Sequence, residues 1–347
     1  MGVPDAVRSL LSRYRATGAD LPFGDPTRAH GVDMEGYFWR FTDVGSGRVL
    51  IALIGVNRSP RGPWATIGVA TSPGDGVPAR LVTHALDGAW ADPDAVGARS
   101  DDAFVGDDRR LRVDVPGAHL DLVISDPWRW PHRAFGGSSV FQTVPGLNQY
   151  WHPWLLGGTA SGSVEVDGDR WQLTGAQVYG EKNWGRGGFP ESWWWGQAQG
   201  FADADACVAF AGGEVYAGPL RTEVTGLVVR LPGGRVVRLG NPGTSPVRAR
   251  VADDTWTLRG RGGGWFIEVG AHAPLAQAHV LPVPLPAEHR NTPGALEHLS
   301  GELAVTVRRH GSLVWQGSSR LAGLEHGGLA RTEAELARRG GEPSPRP

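Results

Sequence analysis

The residues best suited to chemistry lie in one short aromatic segment. Lys182 is the only lysine in a chain that carries 33 arginines, and it lies within Tyr179-Gly180-Glu181-Lys182-Asn183-Trp184-Gly185. Lysine is a compact point charge whose pKa shifts readily on desolvation, so a guanidinium does not replace it everywhere. We therefore predict that Lys182 is a site residue. The alternative is an ion pair with a neighbouring carboxylate on a surface hairpin.

Two carboxyl groups on predicted strands could act as proton donors. Glu181 and Glu35 both have aromatic neighbours, and Glu35 shares its strand face with Tyr37 and Trp39. Desolvation in such surroundings raises a carboxyl pKa and keeps the group protonated near neutral pH. Glu181 is the first candidate for the acid and Glu35 the second. For each, the alternative is a carboxylate tied by hydrogen bonds at a strand end.

Strand alternation assigns the aromatic residues to faces. Trp193, Trp195 and Gln197 share one face, which suits an apolar ligand with a few polar groups, although a Trp-rich core seam is the alternative. In the preceding run, Tyr179, Glu181 and Asn183 share one face, whereas Lys182 and Trp184 share the other. Glu181 and Lys182 are therefore not expected to share a cavity unless a bulge intervenes.

The elements that position these residues are short strands. Apolar runs separated by Gly, Pro, Asp and Asn predict an all-β sandwich or barrel with antiparallel hairpins, for example at Val166-Asp167-Gly168-Asp169 and at 231–235. A helix is predicted in the first 15 residues and a second at Leu329–Arg339, before a disordered tail. We predict three parts: 1–188, 189–330 and 331–347.

Composition excludes several classes of function. The formal charge of −2 without a basic face argues against nucleic acid as a partner, and the single cysteine fits a reducing cytoplasm. There is no signal-peptide pattern, P-loop, dinucleotide fingerprint or nucleophile elbow, and the histidines lack metal-ligand spacing. We expect a cytoplasmic protein without cofactor, metal or obligate protein partner, which a lipophilic substrate could bring to a membrane surface.

The aromatic segment, followed by Phe189-Pro190 and Trp193-Trp194-Trp195-Gly196-Gln197, resembles the signature of the tocopherol cyclase family. Glu35-Gly36-Tyr37-Phe38 and the segment 321–328 resemble its early and late motifs. A more distant similarity links Asn183-Trp184-Gly185 to the carotenoid hydratases. The resemblance implies two lipocalin-like antiparallel β-barrels, which the predicted short N-terminal and short C-terminal helices would flank.

The same resemblance implies a cofactor-independent cyclase of the intramolecular lyase type, which closes a chromanol ring on a prenylated hydroquinone. The expected catalytic residues are Glu181, Lys182 and Glu35. The expected substrate-binding residues are Tyr179, Asn183, Trp184, Trp193, Trp195, Gln197 and Tyr37. Lys182 could influence the protonation of Glu181 electrostatically without contact, or it could hold the motif in place from the opposite face of the strand. The alternatives are an isoprenoid or carotenoid hydratase, a lipophile-binding protein without catalysis, and a carbohydrate-binding module.

Overall fold

Two helices flank a chain built otherwise mainly of antiparallel strands. The computed structural model describes residues 5–74, 77–131 and 135–344. Helix α1 spans Asp5–Arg15 and helix α2 spans Leu329–Arg338, so both predicted helices are present. The first four residues of the predicted N-terminal helix lie outside the described residues. No helix in the described ranges has the length and apolarity needed to cross a membrane.

Within these ranges, twelve strands form the first sheet, in the order β4-β3-β2-β1-β12-β11-β9-β8-β7-β6-β5, with β10 paired to β12. The strands are β1 (Met34–Asp43), β2 (Arg48–Ser59), β3 (Gly62–Thr71), β4 (Arg80–Asp87), β5 (Trp90–Ala91), β6 (Gly97–Ser100), β7 (Phe104–Asp107), β8 (Arg110–Val115), β9 (Ala118–Ser125), β10 (Tyr150–Leu155), β11 (Thr159–Val166) and β12 (Asp169–Gly185).

Ten further strands of the described chain form the second sheet, in the order β16-β15-β14-β13-β22-β21-β19-β18-β17, with β20 paired to β21. The strands are β13 (Trp193–Ala198), β14 (Cys207–Ala217), β15 (Leu220–Arg230), β16 (Val236–Leu239), β17 (Val247–Val251), β18 (Thr255–Gly262), β19 (Trp265–His272), β20 (His279–Leu285), β21 (Arg290–Arg309) and β22 (Ser312–Gly327).

The predicted all-β character is confirmed as two large antiparallel sheets. The hairpin between β11 and β12 is also as predicted, with Asp167 and Gly168 at φ values of 47° and 79°, which suit a tight primed turn. Strand pairing in the described residues does not join the two ends of either sheet. Closure into barrels therefore stays a prediction.

Alternating burial explains how each sheet obtains a core. On β8 and β9 every second residue is buried, and the buried positions are all apolar, whereas the exposed positions are polar except for Val123. The first core contains Trp39 and Phe104, and the second contains Phe210 and Trp256. A third apolar cluster includes residues of both sheets, among them Ile51 and Trp193, so the sheets pack against each other.

The C-terminal tail is held in place over part of the segment for which we predicted disorder. The N–H of Gly341 donates to the Leu336 carbonyl at 3.0 Å, and the N–H of Val280 donates to the Pro343 carbonyl at 2.6 Å. The first bond holds the chain against the end of α2, and the second attaches it to β20. Residues 345–347 of the predicted disordered tail lie outside the described residues.

A candidate active site between the two sheets

A mainly apolar cavity of about 170 Å³ lies where the two sheets face each other. Both sheets contribute walls, so the cavity exists only when both are folded. Its lining includes Tyr37, Phe38, Glu181 and Asn183 from the first sheet, and Trp193, Trp195, Leu281, Glu297 and Glu325 from the second. An apolar cavity with a few polar groups is the usual form of a small-molecule site.

Glu181 lies on β12 and is 4% exposed. Its Oε2 accepts three hydrogen bonds, from Trp151 Nε1 at 2.7 Å, Tyr179 Oη at 2.6 Å and Trp195 Nε1 at 2.7 Å. Burial raises the pKa of the carboxyl above its ordinary value, and the three donors oppose that shift. Since the donors occupy Oε2, a proton on this group sits on Oε1.

Two further carboxyl groups line the same cavity, and the sequence analysis missed both as site residues. Glu297 on β21 and Glu325 on β22 are direct cross-strand partners. Burial and the neighbouring Glu325 raise the pKa of Glu297 well above its ordinary value. Burial raises the pKa of Glu325 to about 7, and its Oε1 accepts a hydrogen bond from Trp193 Nε1. Glu325 was visible within the late motif, but Glu297 had no comparable signal.

Glu35 and Lys182 form a separate buried ion pair, with Lys182 Nζ 3.1 Å from Glu35 Oε2 and both residues fully buried. The Lys182 ammonium also donates to the carbonyls of Thr27 at 3.0 Å and Ala29 at 2.7 Å. Burial lowers the Lys182 pKa, and the attraction of Glu35 opposes that shift. Neither residue belongs to the cavity lining, which agrees with opposite strand faces for Lys182 and Glu181.

The pairing argues against Glu35 as a proton donor. Burial alone would raise the pKa of this carboxyl, but Lys182, His30 and the N–H of Gly31 together lower it to about 2. Glu35 is therefore ionised near neutral pH and has no proton to give. The expectation of Glu35 as the second candidate for the acid conflicts with this geometry. Lys182 on β12 instead binds Glu35 on β1 and the carbonyls of residues 27 and 29, and so holds these three segments together.

The other predicted binding residues fall into two groups. Trp193, Trp195, Asn183 and Tyr37 line the cavity, and Tyr179 orients Glu181 from beside it. Gln197 and Trp184 do not line it, which differs from the prediction. Gln197 accepts a hydrogen bond from Arg40 Nη1 at 2.9 Å, and Trp184 stacks on Tyr150 with its N–H donating to the Gly18 carbonyl at 2.8 Å.

Arg40, which sequence reasoning also missed, links the two sheets. It lies on β1, is fully buried, and its Nη2 donates to the carbonyl of Leu299 on β21 at 2.8 Å and to that of Leu321 on β22. Burial lowers its pKa to about 10, and the nearby Glu297 opposes that shift. The guanidinium is thus charged at neutral pH and lies near Glu297 of the cavity.

A family profile described as tocopherol cyclase-like matches residues 130–328, more than half of the chain. The chain belongs to the tocopherol cyclase-like family. The range that matches this tocopherol cyclase-like profile contains Glu181, Glu297 and Glu325, whereas Glu35 and Arg40 precede it. All three cavity carboxyl groups therefore lie in the part of the chain that carries the family likeness.

Relatives match over a short segment. A probable chloroplastic tocopherol cyclase of Oryza sativa subsp. japonica is 41% identical over 71 residues, and the chloroplastic tocopherol cyclase of Zea mays is 38% identical over 71 residues. Each match covers 20% of this chain and 15% of the relative. The likeness to these two cyclases is therefore local.

Two solved structures share the fold across most of the chain. Kievitone hydratase from Nectria haematococca superposes with a TM-score of 0.51 at 11% identity, covering 86% of this chain and 90% of that one. CghA in complex with Sch210972 gives a TM-score of 0.52 at 13% identity, covering 86% and 89%. At these identities the likeness concerns the fold alone.

The raised pKa of Glu325 predicts how stability depends on pH in this tocopherol cyclase-like protein. The folded pKa of Glu325 is about 7, against 4.5 for the free group. Protonation of Glu325 therefore contributes its full stabilisation below pH 4.5, and this contribution is lost as the pH rises through 7. A tenfold difference in acidity between the folded and unfolded states corresponds to about 1.4 kcal/mol. We expect the free energy of unfolding of Glu325→Gln to fall less between pH 5 and pH 8 than that of the wild type.

Urea unfolding of both proteins at the two pH values measures this difference. The exposed Glu302→Gln on β21 is the matched control, since it changes the same functional group without burial. Parallel pH dependences of Glu325→Gln and the wild type would contradict the raised pKa.

Proposed function

We propose that this protein protonates a prenyl double bond of a lipophilic quinol and closes a chromanol ring, without a cofactor. The observation that carries the proposal is Glu181: its Oε2 is held by three donors, and Oε1 accepts no hydrogen bond from the described residues. The residue lines an apolar cavity whose described walls contain no lysine or arginine. A protonated carboxylic acid presented to an apolar ligand is the group that this reaction needs.

The first step would transfer the Glu181 proton to the less substituted alkene carbon. The electron pair of the double bond forms the new C–H bond, which leaves a tertiary cation and the Glu181 carboxylate. The negative charge develops beside Trp151, Tyr179 and Trp195, whose donors are already in place. Preoriented donors stabilise such developing charge strongly because no reorganisation is required. The phenol oxygen then attacks the cation and closes the ring.

Aromatic rings surround the region where the cation would form. Phe38 and Trp195 meet edge to face with centroids 5.3 Å apart, and Trp193 is fixed by its bond to Glu325. A desolvated cation over such a face gains roughly 0.5–2 kcal/mol. The same apolar walls keep water from capturing the cation before the phenol does.

Polar atoms without partners could orient the quinol hydroxyl groups. Asn183 Oδ1, Gln149 Oε1 and Trp194 Nε1 are buried, lack hydrogen-bond partners in the described residues, and belong to residues that line the cavity. Gly36 leaves room for the first of them, because a Cβ there would lie 2.1 Å from Asn183 Oδ1. A ligand that supplies donors and an acceptor would satisfy these groups.

Anaerobic incubation with phytylated and geranylgeranylated hydroquinones in D₂O tests the proposal. We expect an isomeric chromanol with one deuterium on the carbon adjacent to the one that bonds to the phenol oxygen. A hydratase, as the name of the structurally similar kievitone hydratase suggests, would instead give a product heavier by one water. Binding without conversion would indicate a lipophile carrier and contradict the enzyme proposal.

The untested sequence predictions extend this proposal. We propose that the chain divides near 188/189, between β12 and β13, and that the protein acts in the cytoplasm, with its lipophilic substrate reached at a membrane surface. The proposed reaction requires no protein partner or nucleic acid.

A further inference from the structure

Two carboxyl groups of the cavity have no part in the proton transfer from Glu181. Glu297 and Glu325 are cross-strand partners on the antiparallel strands β21 and β22, so both side chains project from the same face of the sheet. Directly opposed residues have Cβ atoms about 4.5–5.5 Å apart. Both residues line the cavity. Two carboxyl groups at that separation and away from bulk water repel each other when both are ionised, so one of them stays protonated.

The partners of the two groups differ. Glu297 Oε1 is buried and has no hydrogen-bond partner in the described residues, whereas Glu325 Oε1 accepts the Trp193 N–H. A buried ionised oxygen without a donor is costly, so the proton belongs on Glu297 and the charge on Glu325. Of the other charged groups, Glu181 acts on both members of the pair and Arg40 acts on Glu297. Arg40 compensates for one negative charge in this region.

Resting on the proposed function, we propose that Glu297 and Glu325 hold one proton between them and form the base of the reaction. The pair accepts the phenol proton as the ring closes, and it then returns a proton to Glu181. The two catalytic glutamates of the second sheet thus complete the cycle that Glu181 of the first sheet begins.

The protons balance over one turnover. At the start Glu181 is protonated and the pair carries one proton and one negative charge. Protonation of the alkene leaves the Glu181 carboxylate and a substrate cation. Formation of the C–O bond releases the phenol proton, which neutralises the pair, and transfer of one proton from the pair to Glu181 restores the starting state. No oxidant, reductant or further reactant takes part.

The reaction in D₂O distinguishes the catalytic role of the base from that of the acid. If the cation is not captured, Glu181 takes a proton back from it, and the recovered substrate carries deuterium. In Glu297→Gln/Glu325→Gln we expect chromanol formation to fall roughly 100-fold or more, with deuterium uptake into substrate kept within a few-fold of wild type. Glu302→Gln is the surface control on β21. A parallel fall in both rates, or unchanged chromanol formation, overturns the proposal.

Infrared spectroscopy tests the shared proton without any turnover. In a Glu181→Gln background at neutral pH, adding the two glutamine substitutions should remove the carboxylic acid signal of one group. Loss of no signal, or of two, overturns the proposal. A different outcome is that the wild type forms no chromanol and incorporates no deuterium into substrate while the infrared spectra show the loss of one carboxylic acid signal. In that case the proposed function fails and the proton-sharing pair stands. Circular dichroism of each variant confirms that it is folded.

Discussion

Glu181→Gln is expected to lower chromanol formation by roughly 10²–10⁴-fold, the usual contribution of a general acid. The amide keeps the shape of the side chain but has no proton of suitable acidity. The oxygen of the amide can still accept the hydrogen bonds from Trp151, Tyr179 and Trp195, so ligand affinity should change by only a few-fold. Single-turnover rates and ligand titration of the two proteins measure these effects separately.

Tyr179→Phe provides a matched variant for the same carboxyl group. It removes one of the three donors to Oε2, which stabilise the ionised form, so the pKa of Glu181 should rise further. Because the acid works only when protonated, activity should persist to higher pH than in the wild type. Unaltered activity of Glu181→Gln, or a pH profile of Tyr179→Phe displaced to lower pH, would show that Glu181 is not the acid.

Lys182→Met is expected to lower the free energy of unfolding by about 3–5 kcal/mol, the usual cost of removing one partner from a buried ion pair. The Glu35 carboxylate would stay fully buried while losing its contact at 3.1 Å. Glu35→Gln in the same chain should recover part of the loss, because the buried charge that has lost its lysine partner then disappears. Urea unfolding of the two single variants and the double variant measures the coupling.

Arg58→Met is the control for that cycle. Arg58 also faces Glu35, at 3.5 Å, but its side chain is 50% exposed, so its removal should cost no more than about 1 kcal/mol. Lys182→Arg retains the charge but forces a larger group into a filled site, which typically costs about 1–3 kcal/mol. Equal stability of Lys182→Arg and wild type would show that the site does not require a compact ammonium.

Local patterns in the sequence predicted the parts of this fold that depend on local chemistry. Alternation separated Glu181 from Lys182, and the Asp167-Gly168 turn followed from its residue types. The environment of Glu35 could not be predicted in the same way. An aromatic neighbourhood suggested a raised pKa, but the deciding groups lie outside the strand of Glu35: Lys182 is on the paired strand β12, and His30 is in the loop before β1.

The pairing of distant strands determined the rest of the site. Glu297 meets Glu325 because β21 and β22 form a long hairpin, and it meets the region of Glu181 because two sheets pack together. Alternation placed Gln197 on the face of Trp193 and Trp195 but could not show that Arg40 from the other sheet would reach its amide. Periodicity therefore assigns side chains to faces, whereas the identity of the facing residue depends on topology.

The pairing of β13 with β22 has a consequence for biosynthesis. β13 ends at Ala198, and its neighbour β22 ends at Gly327, so the strand that carries Trp193 and Trp195 is made long before its partner. At translation rates of roughly 5–20 residues per second, the intervening chain takes on the order of 10 s to emerge. During that interval an aromatic strand edge is open to pairing with other nascent chains. β1 is likewise made long before its partner β12, so both sheets are expected to need chaperone protection during synthesis.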